Sequence, residues 1–111
     1  MKKDAPLAKR QCEACDEKTP PLSPERIEEL SAQLKGWQVV DSKLKKEFKT
    51  KDFISSLKLA NKIGEIAEQE YHHPDLLVRW GKVGVEIWTH AIDGLSENDF
   101  ILAAKIDQIK K

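Results

Sequence analysis

The chain has 111 residues, room for one compact domain with a single core and too little for two. With 40% hydrophobic and 34% charged residues its balance is globular rather than disordered, and three tryptophans supply bulky core anchors. Lysine plus arginine and aspartate plus glutamate number 19 each, so no net field recruits nucleic acid or an anionic membrane surface.

The basic opening MKKDAPLAKR is not followed by the run of roughly 7 to 15 apolar residues that a secretory signal needs, and nothing approaches the ~20 apolar residues of a membrane span, so the expected location is cytoplasmic. Residues 1–22 mix charges with Pro6, Pro20 and Pro21 and carry no apolar period, which predicts a flexible tail ahead of one domain at 23–111. The only cysteines, Cys12 and Cys15, form a CEAC tetrad within that tail. Two thiolates are half of a structural zinc site, so a reduced, exposed pair is the expected state.

Ordered structure is expected from Ser23, an N-cap followed by Pro24 at the first helical position and Glu25 in the first turn. Ile27, Leu30 and Leu34 continue at helical spacing until Gly36. Trp37–Val40 and Leu44–Lys49, joined by Asp41, Ser42 and Lys43, read as a β-hairpin. Thr50 or Asp52 can cap a second, longer helix whose apolar face is expected to run Phe53, Leu57, Ala60, Ile63, Gly64, Ala67. Pro74 stops it at or just before His72 and His73.

Leu76–Trp80 and Val83–His90 flank Gly81 and Lys82 and predict a second hairpin. In its later strand Val83, Val85, Ile87 and Thr89 share one face, while Gly84, Glu86, Trp88 and His90 share the other. Ser96 with Asp99 three residues on approximates a capping box for a third, amphipathic helix through Phe100, Leu102, Ala103, Ile106 and Ile109. The order helix, two strands, helix, two strands, helix predicts an α+β fold: a four-stranded antiparallel sheet with three helices on one face.

All three histidines, His72, His73 and His90, fall at ends of expected elements, where loops and ligands meet. Each alone reads as a surface or capping residue. Together they suggest acid and base work near neutral pH. Glu68, four residues before His72, is placed to share its helical face and orient that imidazole, and Asp99 divides between capping and a site role. Trp80 and Trp88 suit core packing or an aromatic wall beside the histidines. Adjacent histidines diverge by about 100° on a helix, unlike the i, i+4 pairs of zinc helices, and HExxH, a phosphate-cradling glycine loop and a nucleophile elbow are all missing from the sequence. A metal-dependent hydrolase is therefore the weaker alternative, and no metal is expected.

Glu68 with His72, His73 and Pro74, then WGKV at Trp80 to Val83, Thr89 and His90, and Gly94, Leu95, Ser96 and Asp99 resemble the pterin-4a-carbinolamine dehydratases, in order from Ser23 onward. The CEAC tail is similar to bacterial members associated with phenylalanine hydroxylase. The resemblance implies dehydration of 4a-hydroxytetrahydropterin to quinonoid dihydropterin in recycling of the tetrahydropterin cofactor, with no metal or redox cofactor. It implies that His72 and His90 act as acids on opposite sides of the pterin and that His73 binds and orients the ring. Pro74, Thr89, Ala91 and Ile92 would line the pocket, with Glu68 and Asp99 in support. Tyr71 departs from the smaller or more polar residue expected before the histidine pair. Relatives form dimers or tetramers, and animal relatives also serve as dimerisation cofactors of a homeodomain transcription factor. The resemblance thus implies a homo-oligomer, phenylalanine hydroxylase as a candidate partner, and a protein-binding module with little catalysis as the second reading.

Overall fold

The structure, a computed structural model, describes residues 7–9 and 20–109. Caps visible in the sequence begin all three helices. Ser23 Oγ accepts the Arg26 N–H at 3.1 Å at the start of α1, Pro24–Ser31. Asp52 accepts the Ser55 N–H at 2.8 Å at the start of α2, Phe53–Glu70. Ser96 and Asp99 form a capping box at the start of α3, Glu97–Asp107. Each cap satisfies amide donors that the first turn leaves without a helical partner.

Between the helices lie β1, Gln38–Val40, and β2, Lys43–Lys49, joined by Asp41 and Ser42, both left-handed at φ 52° and 62° as a two-residue hairpin turn requires. β3, Asp75–Arg79, and β4, Lys82–Ile87, form the second hairpin, whose turn residues are Trp80 and Gly81. Gly81 takes φ 79°, where a side chain would be strained. The sheet order is β1-β2-β4-β3, every neighbour antiparallel, so β2 and β4 are central and pair from Leu44↔Ile87 to Lys49↔Lys82. The helices cover one face, where Leu44, Phe48, Val83, Val85 and Ile87 are buried with Leu30, Ile63, Phe100, Leu102 and Ile106. The α+β architecture and element order are those expected from the sequence.

Several details differ from the expectation. α1 ends at Ser31, five residues before Gly36, because the chain tightens: Gln33 N–H bonds Leu30 C=O and Leu34 N–H bonds Ser31 C=O, each at 3.0 Å. α2 buries Ser56, Leu59, Ile63 and Ala67, leaving Phe53 and Leu57 at 44% and 39% exposure. α3 is buried nearly all round rather than amphipathic. A 3-10 turn at Leu7–Lys9, within the segment expected to be a tail, packs against α3 and buries Leu7. Cys12 and Cys15, and with them the CEAC expectation, lie outside the described residues. Among the described residues no helix is long and apolar enough to cross a membrane.

Candidate active site

The helix stops just before the histidine pair, as Pro74 led one to expect. α2 ends at Glu70, and Tyr71 caps it in the left-handed conformation at φ 52°, its N–H bonding the carbonyls of Ala67 and Glu68. This reversal throws His72 and His73 to opposite sides. His72 turns inward to 9% exposure, whereas His73 stays exposed. The i, i+4 pairing expected between Glu68 and His72 is thereby broken, because His72 is no longer helical. Glu68 instead meets His73, Oε1 to Nε2 at 2.6 Å.

His72 Nε2 lies 2.5 Å from Asp99 Oδ1. Asp99 is fully buried, and its other oxygen, Oδ2, accepts the Ser96 backbone N–H and the Thr89 hydroxyl, each at 2.8 Å. Thr89 Oγ1 is in turn 2.7 Å from Ser96 Oγ. With Thr89 donating to the carboxylate, the Ser96 hydroxyl donates to Thr89, so each hydroxyl proton has one direction. The end of α2, the end of β4 and the start of α3 therefore converge on one carboxylate. Burial without such partners would cost roughly 1–3 kcal/mol for each unsatisfied polar group.

His90 arrives from the same end of the sheet. β4 stops at Ile87 instead of running to His90, because Thr89 pairs with Gly94 in an isolated bridge, N–H to O=C at 2.8 Å, and residues His90–Ile92 form a 3-10 turn. The His90 ring lies 4.3 Å from the Trp88 ring, centroid to centroid, and Lys43 Nζ sits 4.2 Å from the Trp88 ring centroid. The antiparallel register pairs Asp75 with Glu86, so the residues before Asp75 and those after Ile87 belong to one end of the β3–β4 hairpin. Trp80 lies in the turn at the other end, 72% exposed, neither in the core nor beside the histidines. Pro74 and Ile92 are half-buried and Ala91 is exposed.

Among the described residues no group of three or more His, Cys, Asp or Glu is arranged to hold a metal ion. A groove of about 620 Å³ lies on the uncovered sheet face around Gly84, away from the histidines. The histidine end, with its convergent acid and base groups, is the better candidate for chemistry. Ser96 is the site residue that sequence reasoning missed. Its signal was present in two places, the capping box with Asp99 and the alternation that turns Thr89 inward, and only their meeting in space joins them.

Residues 20–109 match the family model for pterin 4 alpha carbinolamine dehydratase. The chain belongs to the pterin 4 alpha carbinolamine dehydratase family. Relatives carrying the provisional name pterin-4-alpha-carbinolamine dehydratase include one from Rubrobacter xylanophilus, 43% identical over 93% of this chain and 97% of its own length. Another, from Rickettsia canadensis, is 50% identical over 91% of this chain and 94% of its own. Among solved structures, a transcriptional coactivator/pterin dehydratase from Brucella melitensis superposes with a TM-score of 0.74 at 30% identity, covering 79% of this chain and 96% of that one. For a dehydratase of this family, the convergence of His72, Asp99 and Thr89 at the end of the sheet lies among the very residues whose spacing first suggested the resemblance.

Proposed function

We propose that this chain dehydrates 4a-hydroxytetrahydropterin to the quinonoid dihydropterin and water, a hydro-lyase reaction, through His72, His73 and His90. The observation that carries the reading is the buried contact of His72 with Asp99, set among the family's motif residues. In the reaction the C4a–O bond breaks and its electron pair leaves with the hydroxyl, which takes up a proton and departs as water. The N5–H proton is lost, and its electron pair forms the N5=C4a double bond. Electrons balance without an oxidant, so the chemistry asks for one proton donor at the leaving oxygen and one acceptor for N5–H, as a base or water.

Imidazoles suit both roles, and the Asp99 carboxylate stabilises His72 when it is the imidazolium, in the manner of an Asp–His pair. His72 and His90 serve as acids toward the two faces of the pterin, and so toward the two hydroxyl epimers. His73, held by Glu68 and half exposed, binds and orients the ring. Pro74, Ala91 and Ile92 line the pocket. The test is turnover of His73→Ala and of the double variant His72→Ala, His90→Ala. Each is expected to fall by about 100-fold or more, the lower range for a general acid or base. Undiminished turnover in both removes the histidines from the chemistry.

A second reading, a protein-binding module, is supported by the likeness to the Brucella melitensis transcriptional coactivator/pterin dehydratase and by the exposed Phe53, Ile54 and Leu57 on α2. A catalytically dead variant that keeps a partner, with no turnover in the parent, would favour it. Association with a phenylalanine hydroxylase belongs with the pterin-recycling role and is tested by co-purification.

A further inference from the structure

We infer that Asp99, anchored at Oδ2 by Thr89 and Ser96, is a positioning residue that places the proton of neutral His72 on Nε2 and leaves Nδ1 as the nitrogen that addresses the substrate. Asp99 Oδ2 faces two donors, the Ser96 backbone N–H and the Thr89 hydroxyl. The N–H is a donor in every state. The Thr89 hydroxyl is held as a donor toward the carboxylate because the Ser96 hydroxyl, 2.7 Å away, supplies the proton that Thr89 accepts. Oδ2 is therefore an acceptor position only. The carboxylate is pinned at that oxygen, and Oδ1 is presented to His72 Nε2 at 2.5 Å as a second acceptor, so Nε2 must donate. Among the described residues Nδ1 has no hydrogen-bond partner.

This assigns Thr89 a different task from lining the pocket with its side chain. The residue is 3% exposed, and its hydroxyl is committed to Asp99 and Ser96. It also makes the substitution Asp99→Asn informative. An asparagine has one acceptor oxygen and one NH2 group, and two donors already claim the Oδ2 position. The amide oxygen must take that position and the NH2 must face His72, which then has to accept at Nε2 and carry its proton on Nδ1.

That Nδ1 faces the pterin rests on the dehydratase reading; the position of the proton does not. The experiment is 15N NMR of the full chain labelled at histidine, with the three imidazoles assigned from His73→Gln and His90→Gln and read where His72 is neutral. The parent is expected to show a protonated Nε2 and a bare Nδ1, and Asp99→Asn the reverse. Thr89→Val, which leaves both Asp99 oxygens as acceptors, is expected to keep the parent tautomer. A parent with its proton on Nδ1 overturns the proposal, as does an Asp99→Asn variant that keeps it on Nε2. Should Asp99→Asn not fold, the parent and Thr89→Val spectra decide, and a proton on Nδ1 in either overturns the proposal. A parent without turnover would remove the dehydratase reading and leave the tautomer result intact.

Discussion

Tyr71 holds the left-handed cap of α2 at φ 52°, with its ring 87% exposed. A residue with a Cβ costs roughly 1–2 kcal/mol there, while glycine avoids that cost but loses some chain entropy. Tyr71→Gly is therefore expected to stabilise the fold by about 0.5–1 kcal/mol, read as a higher urea midpoint at unchanged slope. The position is a backbone reversal that aims His72 inward. Asp99 is the opposite case, a buried carboxylate with three partners. Asp99→Ala leaves His72, Thr89 and the Ser96 amide without their acceptor and is expected to cost about 3 kcal/mol by the same measurement. The sequence placed both residues at the junction but paired Glu68 with His72. That pairing assumed a helix continuing through residue 72, and the reversal at Tyr71 lies below what spacing can register.

At the scale of elements, α2 shows where periodicity ran short. Of the expected face Phe53, Leu57, Ala60, Ile63, Gly64 and Ala67, the structure buries Ile63 and Ala67, and it adds Ser56 and Leu59 in place of the exposed Phe53 and Leu57. The deciding residue is polar. Ser56 Oγ bonds Asp52 C=O at 3.1 Å and lies 2.6 Å from Thr50 Oγ1, so it enters the core with its hydroxyl satisfied. Phe53→Ala should accordingly change stability by less than about 1 kcal/mol, whereas Phe100→Ala, in fully buried α3, should cost about 3–5 kcal/mol in equilibrium denaturation. The α2 cap adds a pH dependence. The Ser55 backbone N–H holds the Asp52 carboxyl below its usual value, so the cap's contribution is complete above the unfolded-state value and is lost as pH falls through the lower folded-state value. Thermal melts of the parent and Asp52→Ala should therefore differ at neutral pH and converge in strong acid. Strand faces were legible throughout, since alternation alone put Val83, Val85, Ile87 and Thr89 inside. The enclosure of α3 was not, because Leu7, which packs on it, is remote in sequence.

For the whole molecule, Phe53, Ile54 and Leu57 leave an apolar stretch on α2 that suits an interface. If the chain forms the homodimer or homotetramer that the resemblance implies through this face, Leu57→Glu should shift its mass by light scattering toward the monomer without unfolding it. Activity is a separate matter, because the groups proposed for catalysis lie beyond the other end of α2 and at the end of β4. The fold brings those two ends onto one carboxylate, and the central claim is that this end of the sheet removes water from a pterin. Stopped-flow measurement of 4a-hydroxytetrahydropterin made in situ tests it most directly. The parent chain, without added metal or redox cofactor, is expected to form quinonoid dihydropterin well above the uncatalysed rate and in proportion to protein concentration. A rate equal to the uncatalysed one at every protein concentration would contradict it.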